Sequence, residues 1–331
     1  MSNTSFRLSL VVPVYNEEES IDAFIAAIDD ELAPLKDQLE IVFVNDGSRD
    51  RTREVVEQAI ARDPRVTLVN LARNFGKEAA LTAGLHQAQG DAVVPMDVDL
   101  QDPPALILEF VKLWQSGDYD TVYGIRVDRS ADTPMKRLTA GGFYRFFNAL
   151  SSQTKLPENA GDFRLIDRRV VEAIKQLPER NRFMKGLFAW AGFRSVGVPY
   201  ERPARHAGET KFNYWKLWNF ALDGLLSFSS WPLRVWSYVG VGVSAVAFLY
   251  ILKIITQVIF FGIDVPGYAS LMSVVLFLGG IQLISLGIIG EYIGRMFVEV
   301  KQRPVYLIEG VYGEYARRTE PQAQSKEQGE A

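Results

Sequence analysis

Two long stretches without charge decide most of what this chain can become. No residue from Val235 to Leu252 is charged, Lys253 interrupts, and apolar residues resume up to Ile263. A second uncharged run extends from Val265 to Gly290. Residues 235–300 hold five charged side chains: Lys253, Asp264, Glu291, Arg295 and Glu299. Each run is long enough to cross the roughly 30 Å of bilayer hydrocarbon as a helix. One such run could be a buried core helix. Two of them, around a short connection near Gly262–Ala269, predict a membrane hairpin. Arg234 precedes the pair, Arg295, Lys301 and Arg303 follow it, and the connection holds one acidic residue and no basic one. By the positive-inside bias both ends face the cytoplasm and the short loop faces out. Lys253 then sits near the outer interface, where its stem can snorkel.

Just ahead of the hairpin stand Trp215, Trp218, Trp231 and Trp236, together with Phe212, Tyr214, Phe220 and Phe228. Aromatic and polar positions alternate there in the manner of helices lying along the headgroup layer. The chain's beginning has no long apolar stretch of the signal-peptide kind, so the first domain is expected in the cytoplasm. The stretch from Arg317 to Ala331 is polar and reads as a disordered tail.

The first two hundred residues follow a different rule. Leu8–Val14, Glu40–Asn45, Val66–Leu71, Ala92–Asp97 and Thr121–Ile125 read as strands, and Glu17–Leu32, Arg51–Ala61, Lys77–Gln89 and Pro104–Trp114 as the helices between them. Strands alternating with helices predict βαβ units and a doubly wound, mostly parallel α/β sheet. Ligands of such sheets bind beyond the carboxyl ends of the strands, so the residues placed there carry the functional reading.

Asn16 follows the first strand and is expected to cap the next helix, with Glu17, Glu18 and Glu19 in its first turn. Asp46 ends the second strand in Val44-Asn45-Asp46-Gly47-Ser48, where it suits a turn and could equally bind a base or ribose. Asp97 and Asp99, in Asp97-Val98-Asp99-Leu100-Gln101, are two apart at a strand end and project to the same side. Two carboxylates so placed repel unless a cation neutralises them, and Mg²⁺ or Mn²⁺ held with substrate phosphates fits that need. Asp102, before Pro103, reads as a helix cap apart from the chemistry.

Several classes are excluded. A net charge of −4 argues against a nucleic-acid binder. With no cysteine, thiolate metal sites and cysteine nucleophiles are absent, and His86 and His206 are too far apart for metal spacing. The glycine-rich run from Gly240 to Ala245 matches a dinucleotide fingerprint but lies within a span. Gly290 and Gly294 are weak evidence of helix packing. No phosphate-loop glycine-lysine motif is present.

The ordered motifs Val12-Pro13-Val14-Tyr15-Asn16-Glu17-Glu18, Val44-Asn45-Asp46-Gly47-Ser48 and Asp97-Val98-Asp99-Leu100-Gln101 resemble the family 2 glycosyltransferases of GT-A fold. Among these the chain looks most like the polyprenyl-phosphate, and especially the bactoprenol, glucosyltransferases. The resemblance implies inverting transfer of glucose from UDP-glucose to a membrane-embedded polyprenyl phosphate. It places Pro13, Tyr15, Glu17, Val44, Asp46 and Val98 at the nucleotide-sugar, and Asp97, Asp99 and Gln101 at Mg²⁺ or Mn²⁺. It assigns Arg205 and Lys211, in the Arg-His-Ala-Gly-Glu-Thr-Lys segment, to the donor diphosphate, Arg126 to the acceptor phosphate, and Asp162, in Gly161-Asp162-Phe163-Arg164-Leu165, to catalysis.

The expected organisation is a GT-A domain over 1–211, interfacial helices over 212–234, two transmembrane helices over 235–297 and a cytoplasmic segment over 298–331. Implied partners are the UDP-sugar, the lipid phosphate and the membrane, without nucleic acid; a homo-oligomer stays open. A dolichol-phosphate-mannose type of enzyme using GDP-mannose, or transfer of a modified sugar, is the alternative within the class. A transporter or scaffold with a nucleotide-sensing domain is the alternative outside it, and two spans without a buried charge pair make a poor substrate pathway.

Overall fold

A computed structural model describes residues 6–126, 160–201, 231–261 and 267–315. Eight strands form one sheet: β1 (Leu8–Val14), β2 (Leu39–Asn45), β3 (Val66–Leu71), β4 (Ala92–Pro95), β5 (Thr121–Arg126), β6 (Ala160–Asp167), β7 (Ser195–Tyr200) and β8 (Ile308–Tyr312). The helices are α1 (Ile21–Glu31), α2 (Thr52–Arg62), α3 (Lys77–Gln87), α4 (Leu106–Gln115), α5 (Arg168–Lys175), α6 (Met184–Trp190), α7 (Trp231–Phe261) and α8 (Tyr268–Lys301). The spatial order is β7-β5-β6-β4-β1-β2-β3-β8.

Alternation along β1 divides the core in two. Leu8, Leu10, Val12 and Val14 face the layer containing Phe24 and Ile28 of α1 and Phe110 of α4. Val11 faces the opposite layer with Ala80 and Ala83 of α3 and Val170 of α5. A central strand covered on both sides therefore reads as a nearly continuous apolar run. Phe24, Phe43 and Phe110 are fully buried, each worth on the order of 1.5–3 kcal/mol of burial.

The sheet is mixed but mostly parallel in its pairings, since β5 and β7 are parallel as well as the central strands. β3-β2-β1-β4 is parallel, as the βαβ pattern predicts. β6 then enters antiparallel between β4 and β5, and β8 pairs antiparallel with β3 at the far edge. The C-terminal segment thus returns from the hairpin to complete the sheet, so a boundary at 211 leaves out one strand. β4 stops at Pro95, two residues short of the expected end, because the chain turns at 98–100 with Leu100 at φ 54°.

α7 and α8 run for 31 and 34 residues. Large apolar side chains stand open along both, among them Phe248, Leu249, Leu271 and Leu283, which is an unfavourable surface for water. One segment, Phe277–Lys301 in α8, is long and apolar enough to cross a membrane, while α7 has a shorter apolar stretch, Tyr238–Ile254. Of the interfacial helices expected over 212–234, residues 212–230 lie outside the described residues, as does the polar tail at 317–331, while 231–234 begin α7.

Candidate active site

The loops at the carboxyl edge of β1, β2, β3 and β4 converge on one cleft. Pro13 and Tyr15 follow the end of β1, and Asn16 takes a left-handed φ of 54°. Asn16 does not cap α1, which begins only at Ile21 after Ser20. Instead its Oδ1 accepts from the Arg49 amide at 2.8 Å, and its own amide donates to Ser48 Oγ at 3.0 Å. The β1 and β2 loops are thereby tied together. Gly47, with φ 66°, is needed where it stands: a Cβ there would overlap the backbone of Arg73 and come within 2.5 Å of Asn74 N.

Asp46 is buried at 4% exposure, and its two oxygens accept from the amides of Phe75 and Gly76 at 2.7 and 2.9 Å. Burial pushes its carboxyl above the ordinary aspartate value, against the pull of those amides and Arg73. Its first duty is therefore to fix the chain entering α3. That connection delivers Asn74, Gly76 and Lys77 to the cleft.

The cleft has a volume of about 320 Å³ and is lined by Pro13, Val14, Tyr15, Glu17, Asp46, Asn74, Gly76, Lys77, Ala80, Asp97, Val98 and Asp99. Asp97 and Asp99 both face it, brought there by the turn after β4 rather than by strand alternation. Lys77 Nζ lies 2.6 Å from Asp97 Oδ1, in the position of a neutralising cation. Among the described residues no three His, Cys, Asp or Glu groups converge on a metal-sized point. Two carboxylates are nonetheless the usual protein share of a Mg²⁺ site completed by phosphate oxygens, so this pair fits a divalent ion bound with a diphosphate.

A smaller cavity adjoins the cleft across Pro13, Lys77 and Asp97, and Asp102, Arg126 and Asp162 line its other side. Asp162 projects from β6. Lys77 Nζ stands 3.6 Å from its Oδ2 and Lys185 Nζ, on α6, 3.7 Å from its Oδ1. Burial alone would raise the Asp162 carboxyl, but Lys185, Lys77, Arg164 and Arg126 outweigh it and hold its pKa below the ordinary value. The reverse balance holds at Lys77: Asp97 and Asp162 overcome burial and keep its ammonium charged. Glu78, next along α3, is pushed up to about 7 by burial and then by Asp162. Its Oε2 accepts from the Met184 amide at 3.2 Å.

Asp102 belongs to this cavity, which corrects its reading as a helix cap. α4 begins at Leu106, and Asp102 is buried at 4% exposure. It accepts from the Tyr200 hydroxyl and lies 3.9 Å from Arg126 NH2. Arg126 Nε also donates to that hydroxyl at 3.2 Å. Arg126 is thereby aimed into the cavity by Tyr200 of the neighbouring strand β7 and by Asp102 of the loop before α4.

The structure gathers Pro13, Tyr15, Glu17, Asp46, Asp97, Val98 and Asp99 around the larger cleft, with Arg126 and Asp162 at the smaller one. It does not bring Val44 or Gln101 to either cavity wall. Val44 is fully buried beneath Gly84 of α3, and Gln101 is buried with its amide donating to Asp99 Oδ1 at 3.2 Å. Arg205 and Lys211 lie outside the described residues. Lys77, Glu78, Asp102 and Lys185 were not expected. The position of Lys77, just beyond the carboxyl edge of β3, was the available signal, by the rule that singled out Asp46 and Asp97.

A cleft with paired carboxylates, joined at one sheet edge to a smaller pocket where Lys77 and Arg126 face Asp97, Asp102 and Asp162, has the form of a group-transfer site on a doubly wound fold. The chain belongs to glycosyl transferase family 2, which it matches over residues 9–175. Residues 231–296 match the GtrB C-terminal hairpin.

Among its relatives is the bactoprenol glucosyl transferase derived from prophage SfII in Shigella flexneri, 52% identical over 304 residues that cover 91% of this chain and 97% of the relative. A glycosyltransferase of Synechocystis sp. is 53% identical over 309 residues, covering 93% and 96%. The mannosyltransferase of Pyrobaculum calidifontis, solved with GDP-Man and Mn2+, overlaps 60% of this chain and 56% of its own at 23% identity and a TM-score of 0.42. That overlap is too loose to bear on the site.

Proposed function

We propose that the protein transfers glucose from UDP-glucose to a polyprenyl phosphate at the cytoplasmic face of a membrane, with inversion at the sugar carbon. The observation that carries this reading is the pairing of two cavities across Lys77 and Asp97: one suits a nucleoside diphosphate and its metal, and the other sets Lys77 and Arg126 among three aspartates beside it, where an acceptor phosphate would arrive. The bactoprenol glucosyl transferases among the relatives support the lipid acceptor and the hexose. The matched hairpin and the open apolar surfaces of α7 and α8 support attachment to a membrane, and the basic residues flanking the pair favour both ends in the cytoplasm.

On this reading Tyr15, Glu17 and Val98 bound the nucleoside, while Asp97 and Asp99 hold Mg²⁺ or Mn²⁺. The ion, when bound, would offset charge developing on the departing diphosphate. Lys77 stands where donor and acceptor meet, and Arg126 and Lys185 attract the acceptor phosphate. An acceptor oxygen bonds to the sugar carbon as that carbon's bond to the UDP oxygen breaks, and the electron pair leaves with UDP. No proton must move, because a phosphate monoester with a second pKa near roughly 6 is largely dianionic at neutral pH.

This assigns Asp162 a role other than base. A carboxylate held below the ordinary aspartate range is a weak proton acceptor, whereas its position between Lys77 and Lys185 suits it to align them. It also stands ready to stabilise positive charge at the sugar carbon. A donor panel of UDP-glucose, UDP-N-acetylglucosamine and GDP-mannose, run with polyprenyl phosphate and Mg²⁺ or Mn²⁺, tests the specificity. UDP release from UDP-glucose alone is expected. Preference for GDP-mannose would move the protein to the dolichol-phosphate-mannose type.

A further inference from the structure

α8 does not end at the membrane. Its uncharged part, Tyr268–Gly290, already suffices for the bilayer core, and Glu291–Lys301 continue the same helix. Glu299 lies nine residues beyond Gly290, about 13 Å of helix rise, which carries it past the headgroup layer to the height of the catalytic domain. A carboxylate in the last turn of a helix is unfavourable against the helix dipole, so it requires donors from elsewhere. It has them: Glu299 accepts from the Arg180 amide at 2.9 and 3.0 Å and from the Asn181 amide at 3.0 Å.

The segment so held leads directly into α6. Phe183 precedes the helix without any side-chain cap. The amide of Met184, the first helical residue, is instead taken by Glu78 at 3.2 Å. Lys185, the next residue, reaches 3.7 Å from Asp162 Oδ1. Two carboxylates therefore fix the start of α6, one on α3 beside Lys77 and one at the end of the membrane helix. Lys185 is placed by both.

We propose that Glu299 is a positioning residue through which the membrane hairpin sets Lys185 against Asp162, so that the acceptor side of the site takes its working form when α8 is seated in the bilayer. This rests on the reading of the smaller cavity as the acceptor-phosphate pocket. The donor cleft, built by the β1 to β4 loops, makes no contact with Glu299 in the described residues and should be indifferent to it. The acceptor, a lipid phosphate, would thus be gripped by a lysine whose place is fixed by the element that senses the lipid surface.

The test uses the full-length protein in lipid nanodiscs, comparing wild type with Glu299→Ala and Glu299→Gln. For Glu299→Ala, KM for polyprenyl phosphate should rise about tenfold, the scale expected when half-buried donors lose a charged acceptor, while KM for UDP-glucose stays unchanged. Glu299→Gln, which keeps one accepting oxygen, should restore most of the acceptor affinity. Amide exchange measured by mass spectrometry should accelerate over 180–190 in the alanine variant and stay unchanged over 40–50. Unchanged exchange at 180–190, or equal loss of donor and acceptor affinity, would overturn the proposal. If wild type used no polyprenyl phosphate at all, the functional reading would fail, and the exchange comparison would still decide whether Glu299 anchors α6.

Discussion

Replacing Asp162 with Asn separates alignment from base catalysis, because the two assign different sizes and pH behaviour to the loss. The substitution keeps the shape and removes the charge facing Lys77 at 3.6 Å and Lys185 at 3.7 Å. At an effective dielectric of about 20 each pair would be worth roughly 4 kcal/mol. The lysine side chains are 47% and 25% exposed, and solvent screening reduces each pair to about 1 kcal/mol. Two pairs give about 2 kcal/mol, or roughly a 30-fold loss of kcat/KM if all of it is expressed in the transition state. An essential base would instead cost about 10²–10⁴-fold.

The pH profile is the sharper arm. The Asp162 carboxyl lies below the ordinary aspartate value, so it stays ionised throughout pH 5–8 and contributes no inflection there. Wild-type rates should rise through the acceptor's second ionisation near about 6, and Asp162→Asn should show the same inflection at a lower plateau. The assay is label transfer from UDP-glucose at saturating donor, over pH 5–8. An inflection that disappears in the variant, with a loss of about 10³-fold or more, would refute the alignment role.

Asp97→Ala and Asp99→Ala should each abolish transfer while leaving membrane insertion intact, as judged by membrane fractionation; full activity of both in metal-depleted buffer would remove the metal assignment. Glu78→Gln carries a signed pH dependence: a carboxyl raised to about 7 makes the fold bind more protons than the unfolded chain between its ordinary pKa and 7, so wild-type stability falls as pH rises through that window. The variant should exceed wild type by about 3 kcal/mol at pH 8 and match it near pH 4, read by urea unfolding of the detergent-solubilised protein; a gap of the same size at both pH values would contradict it. A truncation after Lys211 should lose lipid-dependent transfer. It should also melt lower, because it removes β8 and the Glu309 carboxylate that accepts from Asn70 Nδ2 at 2.5 Å; an unchanged melting temperature would show that β8 adds nothing to the sheet.

The sequence was legible where local pattern and tertiary role coincide. β1, β2 and β3 stand within a residue of the expected ranges because parallel strands covered on both faces are continuous apolar runs. Asp97 and Asp99 were legible because they follow such a strand. β6 was hidden: Ala-Gly-Asp-Phe-Arg-Leu-Ile-Asp places a glycine and charges where a strand reader expects apolar alternation. Its Arg164 is buried by lying over the Phe188 ring at 4.4 Å and donating to the Gly161 carbonyl at 2.8 Å. Asp102 was misread because Asp-Pro is a strong local cap signal and its partner Tyr200 lies 98 positions away. Lys185 had no local signal, since its meaning depends on Asp162 across the fold and on Glu299 at the end of the hairpin.

The central claim is that a sugar leaves a nucleotide and arrives on a lipid phosphate. It is tested most directly by incubating the protein in nanodiscs with UDP-glucose labelled in the sugar, Mg²⁺ or Mn²⁺, and polyprenyl phosphate, then partitioning the products between organic and aqueous phases. The account predicts label in the organic phase as an acid-labile glycosyl phosphate, formed only when polyprenyl phosphate is present and lost in the Asp97→Ala variant. Label released as free glucose at the same rate with and without the lipid, and none in the organic phase, would contradict it.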